Sequence, residues 1–307
     1  MKRLLLASAV LCMLAALAPA TASAETHFVY TPADGSDPYG VAARAERAER
    51  VRAAIEARKE SGAERPGLIE RGPAPEDRHI LPYYFVDSDA LGETTLLAIR
   101  SSASGVGTVT LRYYGLSFTD GPARTDTVEL DPQEVYTRNL RDVAGLPLNF
   151  AGNKEGFVLI DFPNGNADLG ADSFRIDIGQ NFATGSQLMK GSDLCFIREN
   201  RFLEGGPIDG GTEMVLLINS PQGGDIDNDD PSAILQMFAE DGTFLGTISV
   251  YSSINVVALP LDGFTFGELF GAVETEFIGG VGFTTVTYSA SNKYSIGISG
   301  RCLPTPL

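Results

Sequence analysis

Hydrophobic and polar positions alternate with a period of two along much of the chain after residue 77. In Thr108–Gly115, for example, Val109, Leu111 and Tyr113 fall on one face and polar residues fall between them. Such alternation is typical of a β-strand with one solvated face. No long apolar pattern of helical period appears after residue 62, and 34 glycines suit short strands joined by tight turns. The pattern predicts an all-β fold of antiparallel sheets.

The same pattern occurs twice. Gly92–Ser102 reads GETTLLAIRSS, and Gly211–Pro221, which begins 119 residues later, reads GTEMVLLINSP. Five further strand-like segments follow each copy in the same order, and one of these matches pairs Gly156–Phe162 with Gly282–Tyr288. The spacing is close to the size of one β-sandwich domain. We interpret the repeat as an internal duplication.

The chain divides into four predicted segments. Residues 1–24 have two basic residues, an apolar run of about 14 residues and a small-residue cleavage motif, which are typical of a signal peptide. Residues 25–77 are predicted to be a linker with a short helical spacer at 41–60, which is rich in Ala, Arg and Glu. Residues 78–189 and 190–307 are the two predicted tandem antiparallel β-sandwich domains. Their strand order and size are similar to those of immunoglobulin-like sandwiches, although the Cys-Trp-Cys signature is missing.

The chain is strongly acidic. Its formal net charge is −17, and it becomes −19 once Lys2 and Arg3 leave with the signal peptide. A surface of this sign repels phosphate backbones and anionic lipids, so we expect no nucleic-acid partner. The apolar run of the signal is also shorter than the roughly 20 residues that span a bilayer. We therefore expect an exported protein, secreted or periplasmic, with no membrane span after signal removal.

The cysteines indicate a disulfide bond. Cys12 lies inside the signal peptide, which leaves Cys195 and Cys302 in the mature chain. An even number of cysteines in an exported protein predicts a disulfide. A bond between these two would join the ends of the second domain and close a loop of about 107 residues. The chain-entropy treatment gives about 4–5 kcal/mol of stabilisation as an upper figure for such a loop.

An acidic loop is the main candidate metal site. Asp225, Asp227 and Asp229 recur at every second residue after two glycines, and alternating carboxylates of this kind can surround Ca²⁺. The loop departs from the helix–loop–helix calcium pattern, because position six is Asp230 and position twelve is Gln236. A solvated acidic hairpin loop is the simpler interpretation. Calcium is the one possible cofactor that the sequence offers.

No catalytic residue can be assigned from the sequence. The chain has two histidines, His27 and His79, lacks a Gly-x-Ser-x-Gly motif, and cannot supply three or four His or Cys zinc ligands. A carboxylate-based hydrolase stays open, because its acidic pair is assembled by folding and not by spacing. Tyr84 and Tyr114 are candidates for stacking on a sugar if they are exposed, although half-buried strand tyrosines are the simpler interpretation.

These features favour a non-catalytic structural or binding protein of the cell envelope or the extracellular space. We expect it to recognise a protein or an extracellular polymer through its β-sandwich surfaces. The alternatives are a calcium-dependent adhesion module and a carboxylate-based glycan hydrolase. A cavity between the domains with convergent Asp or Glu would favour the hydrolase, whereas flat faces with exposed strand edges would favour a binding module.

Overall fold

The structure is a computed structural model, and its described residues are mostly strand with almost no helix. They are 26–33, 78–100, 107–149, 151–162, 170–179, 182–190, 197–201, 213–218, 231–238, 243–260, 272–276, 282–287, 298–299 and 301–302. The one helical element in these ranges is a three-residue 3-10 turn, Leu140–Asp142. The all-β antiparallel prediction is therefore confirmed. The predicted signal peptide and the helix at 41–60 lie outside the described residues.

The described residues contain nineteen strands. They are β1 (Thr26–Pro32), β2 (Arg78–Val86), β3 (Glu93–Arg100), β4 (Gly107–Tyr114), β5 (Arg124–Leu130), β6 (Val135–Asn139), β7 (Lys154–Asp161), β8 (Gly170–Asp177), β9 (Phe182–Gln187), β10 (Met189–Lys190), β11 (Ile197–Arg201), β12 (Glu213–Ile218), β13 (Ala233–Phe238), β14 (Phe244–Ser252), β15 (Val256–Pro260), β16 (Ala272–Glu276), β17 (Gly282–Thr287), β18 (Ile298–Ser299) and β19 (Arg301–Cys302). We call β2–β10 the first half and β11–β19 the second half.

The described strands form four antiparallel sheets. Sheet I has the order β6-β3-β8-β9 and sheet II has the order β10-β2-β7-β4-β5. Sheet III has the order β15-β12-β17-β18 and sheet IV has the order β1-β14-β13-β16-β11-β19. Sheets I and II come from the first half, and sheets III and IV come from the second half together with β1.

The four sheets pack face to face in the order I, II, III, IV. Strand β7 shows why, since Val158 and Ile160 belong to the core between sheets I and II, whereas Phe157 and Leu159 belong to the core between sheets II and III. In β12, alternate residues divide in the same way between the II–III and III–IV cores. Alternate side chains of a strand point to opposite faces, so a strand with both faces covered reads as a continuous apolar run.

The two halves have the same strand order. In sheet II the sequence β2-β7-β4-β5 matches β11-β16-β13-β14 in sheet IV, and in sheet I the sequence β6-β3-β8-β9 matches β15-β12-β17-β18 in sheet III. The sequence-based pairing of Gly156–Phe162 with Gly282–Tyr288 differs from this order, because β7 occupies the position of β16. Strand β16 reads AVETE and lacks an apolar run, so a search for alternating apolar residues passes over it.

The strand order differs from that of an immunoglobulin domain. In the immunoglobulin fold the first two strands share one sheet. Here the first two strands of each half lie in different sheets, with β2 in sheet II and β3 in sheet I, and with β11 in sheet IV and β12 in sheet III. The immunoglobulin-like part of the prediction is not supported, because counting strands does not reveal which strands pair.

A charged cluster is buried inside sheet II. Arg78 Nε donates to Asp161 Oδ1 at 2.6 Å, and Arg112 Nη1 donates to the second oxygen of the same carboxylate. Arg78 and Asp161 are directly opposite in the β2–β7 ladder, and both side chains are at most 2% exposed. One carboxylate thus joins three neighbouring strands of a sheet that is covered on both faces.

Two tyrosines buried in the core between sheets I and II should make the free energy of unfolding fall at alkaline pH. Burial raises the pKa of Tyr84 and the pKa of Tyr113, and nearby Glu155 and Asp126 respectively act in the same direction. The unfolded chain therefore loses these protons first as the pH rises through 10. We expect the free energy of unfolding to be unaffected by these groups below pH 10, and to fall by about 1.4 kcal/mol per pH unit per tyrosine above it. Urea denaturation between pH 8 and pH 11.5 measures this slope.

Phenylalanine variants provide the control. Tyr84→Phe and Tyr113→Phe should each lower the slope above pH 10 by about 1.4 kcal/mol per pH unit. At pH 8 the two variants should differ, because Tyr84 Oη donates to the Tyr114 carbonyl at 2.9 Å, whereas Tyr113 Oη has no hydrogen-bond partner among the described residues. We expect Tyr84→Phe to cost about 1 kcal/mol and Tyr113→Phe to be neutral or stabilising. An unchanged slope in both variants would refute the assignment.

Candidate binding cavity between the two halves

The two halves meet through an apolar core and one buried asparagine. Asn255, in the turn between β14 and β15, is 2% exposed. Its Oδ1 accepts from the Phe118 backbone N–H at 2.7 Å, and its backbone N–H donates to the Leu116 carbonyl at 2.9 Å. Its Nδ2 donates to the Ile218 carbonyl of the second half at 2.8 Å. The β4–β5 loop of the first half is therefore fixed against the β14–β15 turn of the second half.

A cavity of about 490 Å³ lies beside this junction. The first half supplies most of its wall from the β4–β5 loop and from the segment before β7, and the second half supplies Ile254. The lining residues are Gly115, Leu116, Ser117, Asp120, Gly121, Ala123, Pro147, Leu148, Asn149, Glu155 and Ile254. The volume falls within the range of small-ligand sites, and the wall combines apolar surface with few polar groups, as such sites do.

Glu155 is the fixed polar group of this cavity. Its Oε1 accepts from Tyr83 Oη at 3.0 Å and its Oε2 accepts from Asn149 Nδ2 at 2.9 Å. Tyr83 is itself held, because the Arg175 guanidinium lies 5.2 Å from the centre of its ring and Arg175 also pairs with Glu93. A carboxylate held by two donors keeps its position for contact with a ligand.

The opening of the cavity carries a second acidic residue and an exposed apolar one. Asp120 lies in the β4–β5 loop and is exposed. Leu148 is 65% exposed although it is a large apolar side chain. Leu116 and Leu148 offer apolar surface to the stem of a ligand, and Glu155 offers a fixed carboxylate to a cationic group at its end. This arrangement suits a lysine or arginine side chain better than an anion or a purely apolar ligand.

His79 is placed away from solvent. It is 4% exposed, and its ring meets Phe162 edge to face with the centres 5.1 Å apart. Its neighbours across the sheet are Ile160 in β7 and Lys190 in β10. In this position the imidazole is a packed core group. It does not line the cavity between the halves.

Neither Tyr84 nor Tyr114 is exposed, and both are more deeply buried than the half-buried tyrosines that the sequence favoured. Tyr84 is fully buried in the core between sheets I and II, and Tyr114 is 4% exposed and stacks on Phe157 in the core between sheets II and III. Alternation does place the two rings of each pair on opposite faces. Both faces of sheet II are covered, however, so neither ring reaches a sugar.

The other predicted site residues fall wholly or partly outside the described residues. Asp225, Asp227 and Asp229 are not described, and neither is Cys195. Cys302 ends β19, where it is paired with Arg198 of β11. Within the described ranges no group of three or more His, Cys, Asp or Glu side chains is placed to hold a metal ion, and no helix is long and apolar enough to cross a membrane.

Sequence reasoning missed the residues that define the cavity. Glu155 stands at the start of an apolar strand, and Asn255 stands in a short turn; both positions commonly hold solvated polar residues. The only local signal is the run Asn149–Glu155, where two asparagines and one glycine, Gly152, precede a buried strand. That run predicts a turn, and it does not predict which distant side chains meet it. Comparisons of the chain with protein-family models, with curated proteins and with solved structures find no match.

Proposed function

We propose that this chain is an exported, non-catalytic binding protein that recognises a partner protein, and that a lysine or arginine of the partner enters the cavity between the two halves. The observation that carries the proposal is Glu155, which two hydrogen bonds fix inside a largely apolar cavity. The net charge of −17 would draw a basic partner toward the surface. An extracellular polymer with ammonium groups offers the same chemistry and is a weaker fit, because an apolar stem is needed to cover Leu148.

The order of the strands supports a common origin of the two halves. We propose that an ancestral two-sheet unit was copied in tandem, since each half repeats the same pairings in the same chain order. The second copy then gained its extra edge strand from the segment before the first copy. The junction between copies formed the II–III core and the cavity, so the binding site is a product of the duplication.

Export and the disulfide bond belong to the same proposal. Residues 1–24 have the pattern of a cleaved signal peptide, which supports export of the mature chain. The backbone pairing of Cys302 with Arg198 brings it within three residues, along the chain, of Cys195. Cys195 lies outside the described residues, so the Cys195–Cys302 bond is proposed from the even number of cysteines in an exported chain alone.

The binding site is tested with short peptides on the full-length mature protein. The probe is Ac-Ala-Leu-Arg-Leu-Ala-NH2, and its matched control has glutamate in place of arginine. In a two-dimensional NMR titration we expect the arginine peptide to shift the amide signals of Gly115, Gly121 and Asn149, and the glutamate peptide to leave them in place. Glu155→Gln should weaken binding about tenfold, because a charge-assisted hydrogen bond is lost.

Glu129→Gln is the matched variant for the change in net charge. Glu129 is exposed on β5 and does not line the cavity. If both variants weaken the peptide to the same extent, the effect is general electrostatics and the site is wrong. Shifts that spread over the whole surface, or equal binding of the two peptides, would also contradict the proposal.

A glycan hydrolase is the alternative with an observation in its favour. Asp120 and Glu155 line the same cavity at the junction of the halves. Release of reducing ends from defined oligosaccharides, abolished by either Asp120→Asn or Glu155→Gln, would replace the binding proposal by this one. The calcium-dependent adhesion alternative rests on Asp225–Asp230, which the structure does not describe, and it stays a prediction.

A further inference from the structure

The first strand of the mature chain closes the edge of a sheet that belongs to the far half of the molecule. Strand β1 pairs antiparallel with β14 over seven residue pairs, from Thr26 opposite Ser252 to Pro32 opposite Gly246. Phe28 and Tyr30 of this strand pack against the core between sheets III and IV. The linker prediction for residues 25–77 therefore missed a strand, because that strand is recruited by a distant edge and not by its neighbours in sequence.

Strand β14 is built to receive this particular strand. A Cβ atom on Gly246 would lie 2.5 Å from the Tyr30 ring and 2.7 Å from the Thr31 carbonyl oxygen, so only glycine leaves room for the tyrosine. The Tyr30 hydroxyl then donates to the Leu245 carbonyl at 2.9 Å. The Ala33 backbone N–H donates to the same carbonyl at 3.2 Å. Gly246 and the Leu245 carbonyl together form a binding site for the Tyr30 side chain of β1.

The corresponding edge of the first half needs no such cover. Strand β5 holds the place in sheet II that β14 holds in sheet IV, and no strand pairs with its outer edge among the described residues. It carries Arg124, Asp126 and Glu129, and charges on an edge strand prevent pairing with another chain. Strand β14, FLGTISVYS, has no charged residue. Without β1, its open edge would be a template for any suitable strand.

The segment that joins β1 to β2, here called the tether, is long. Residues 34–77 separate Ala33 from the start of β2, which is 44 residues. Even with residues 41–60 helical, as predicted, the tether can extend to roughly 110 Å. Sheets II and IV are two layers apart, so the gap to be bridged is on the order of 20 Å. A tether of this length holds its end at an effective concentration in the millimolar range at most. The β1 strand of a neighbouring molecule at a comparable protein concentration therefore competes equally for the β14 edge.

We propose that the β14 edge is a strand-acceptor site for a second copy of this chain, and that two copies exchange their β1 strands where the protein is concentrated. The exchanged strand keeps the register of the internal one, with Tyr30 of one copy over Gly246 of the other. Reciprocal exchange gives a closed dimer, because each copy gives one strand and receives one. The inference is independent of the binding cavity, which β1 does not line.

Cysteine pairs in two full-length variants test the exchange. Val29→Cys and Ser249→Cys are directly opposite in the β1–β14 ladder. The two single variants are refolded together from urea under a glutathione redox buffer, at 1 µM and at 1 mM. We expect a disulfide-linked heterodimer whose yield is at least tenfold higher at 1 mM, with the 29–249 bond identified by mass spectrometry of the proteolytic peptides.

Two controls make each outcome informative. In the control mixture Thr127→Cys, exposed on the charged β5 edge, replaces Ser249→Cys and should give no heterodimer above background. The double variant Val29→Cys/Ser249→Cys in one chain should form the bond internally at 1 µM, which shows that the two positions can be bridged. An internal bond without any heterodimer at 1 mM would overturn the exchange. Failure of the internal bond would overturn the β1–β14 pairing itself.

Discussion

We expect Asp161→Asn to lower the free energy of unfolding by about 3–5 kcal/mol, which is the loss measured when one partner of a buried ion pair is removed. The asparagine keeps the shape of the side chain and removes the negative charge that both guanidinium groups contact. Arg78 is fully buried, so its charge remains in a low-dielectric environment after the substitution. A domain is commonly stable by only about 5–15 kcal/mol, so the variant should be close to unfolding at 37 °C.

Urea denaturation followed by circular dichroism measures this loss as a lower midpoint with an unchanged slope. Arg112→Gln should cost less, about 1 kcal/mol, because Arg112 is 31% exposed and solvent screens its charge. A larger loss for Asp161→Asn than for Arg112→Gln distinguishes a charge buried in a sheet with both faces covered from a charge pair at the surface.

The matched control is an exposed ion pair on a neighbouring sheet. Arg100 and Asp172 approach to 3.3 Å and are 57% and 29% exposed. Asp172→Asn should change the free energy of unfolding by less than about 1 kcal/mol. If Asp161→Asn behaves like this control, then water reaches Arg78 and sheet II is not covered on both faces as the structure shows.

Among the described glycines of the first half, we expect Gly156→Ala to be the most damaging methyl addition. Gly156 lies in β7, opposite Tyr84, and β7 is bordered by β2 and β4. A Cβ atom there would overlap the Tyr114 carbonyl oxygen and lie 2.9 Å from Tyr84 Oη. Those two atoms already form a hydrogen bond of 2.9 Å, so relieving the overlap breaks it or moves a strand. Forced overpacking of this kind costs about 3 kcal/mol.

Gly145→Ala separates this overlap from the ordinary cost of replacing glycine. Gly145 has a φ of 78°, which disfavours alanine, but a Cβ atom there would meet nothing within 4 Å. We expect a cost of about 1–2 kcal/mol from the backbone alone. Both variants can be compared by thermal unfolding at one protein concentration. Equal losses would show that the close approach of Tyr114 to Gly156 does not constrain the fold.

The position of the cavity follows from the stacking of the sheets. Sheets II and III share an apolar core. At the margin of this core, Asn255 forms hydrogen bonds with residues of both halves. Glu155 is therefore carried by a strand that is packed on both faces, and its partner Tyr83 is carried by the adjacent strand. A ligand that enters meets a wall that is already in place, which limits the entropy lost on binding.

The sequence by itself determined the class of the fold. Period-two alternation, as in β4, and the uninterrupted run VLLI in β12 are local signals of strands with one or two covered faces, and the structure has strands at both places. The repeat beginning at Gly92 and Gly211 also marked two strands that hold the same position in their sheets, β3 and β12. Strand formation can be predicted this far because side-chain direction along a strand is a local property.

Only the tertiary structure decided which strands pair, which faces are covered and where β1 is placed. The pairing of β1 with β14 joins residues more than two hundred positions apart, and the Glu155–Tyr83 contact joins a strand end to the middle of another strand. Neither leaves a periodic trace, since a backbone ladder is open to almost any sequence and a single hydrogen bond needs only one residue on each side. Long-range partners are chosen by the total packing of the chain, so they became visible only once the four sheets were stacked.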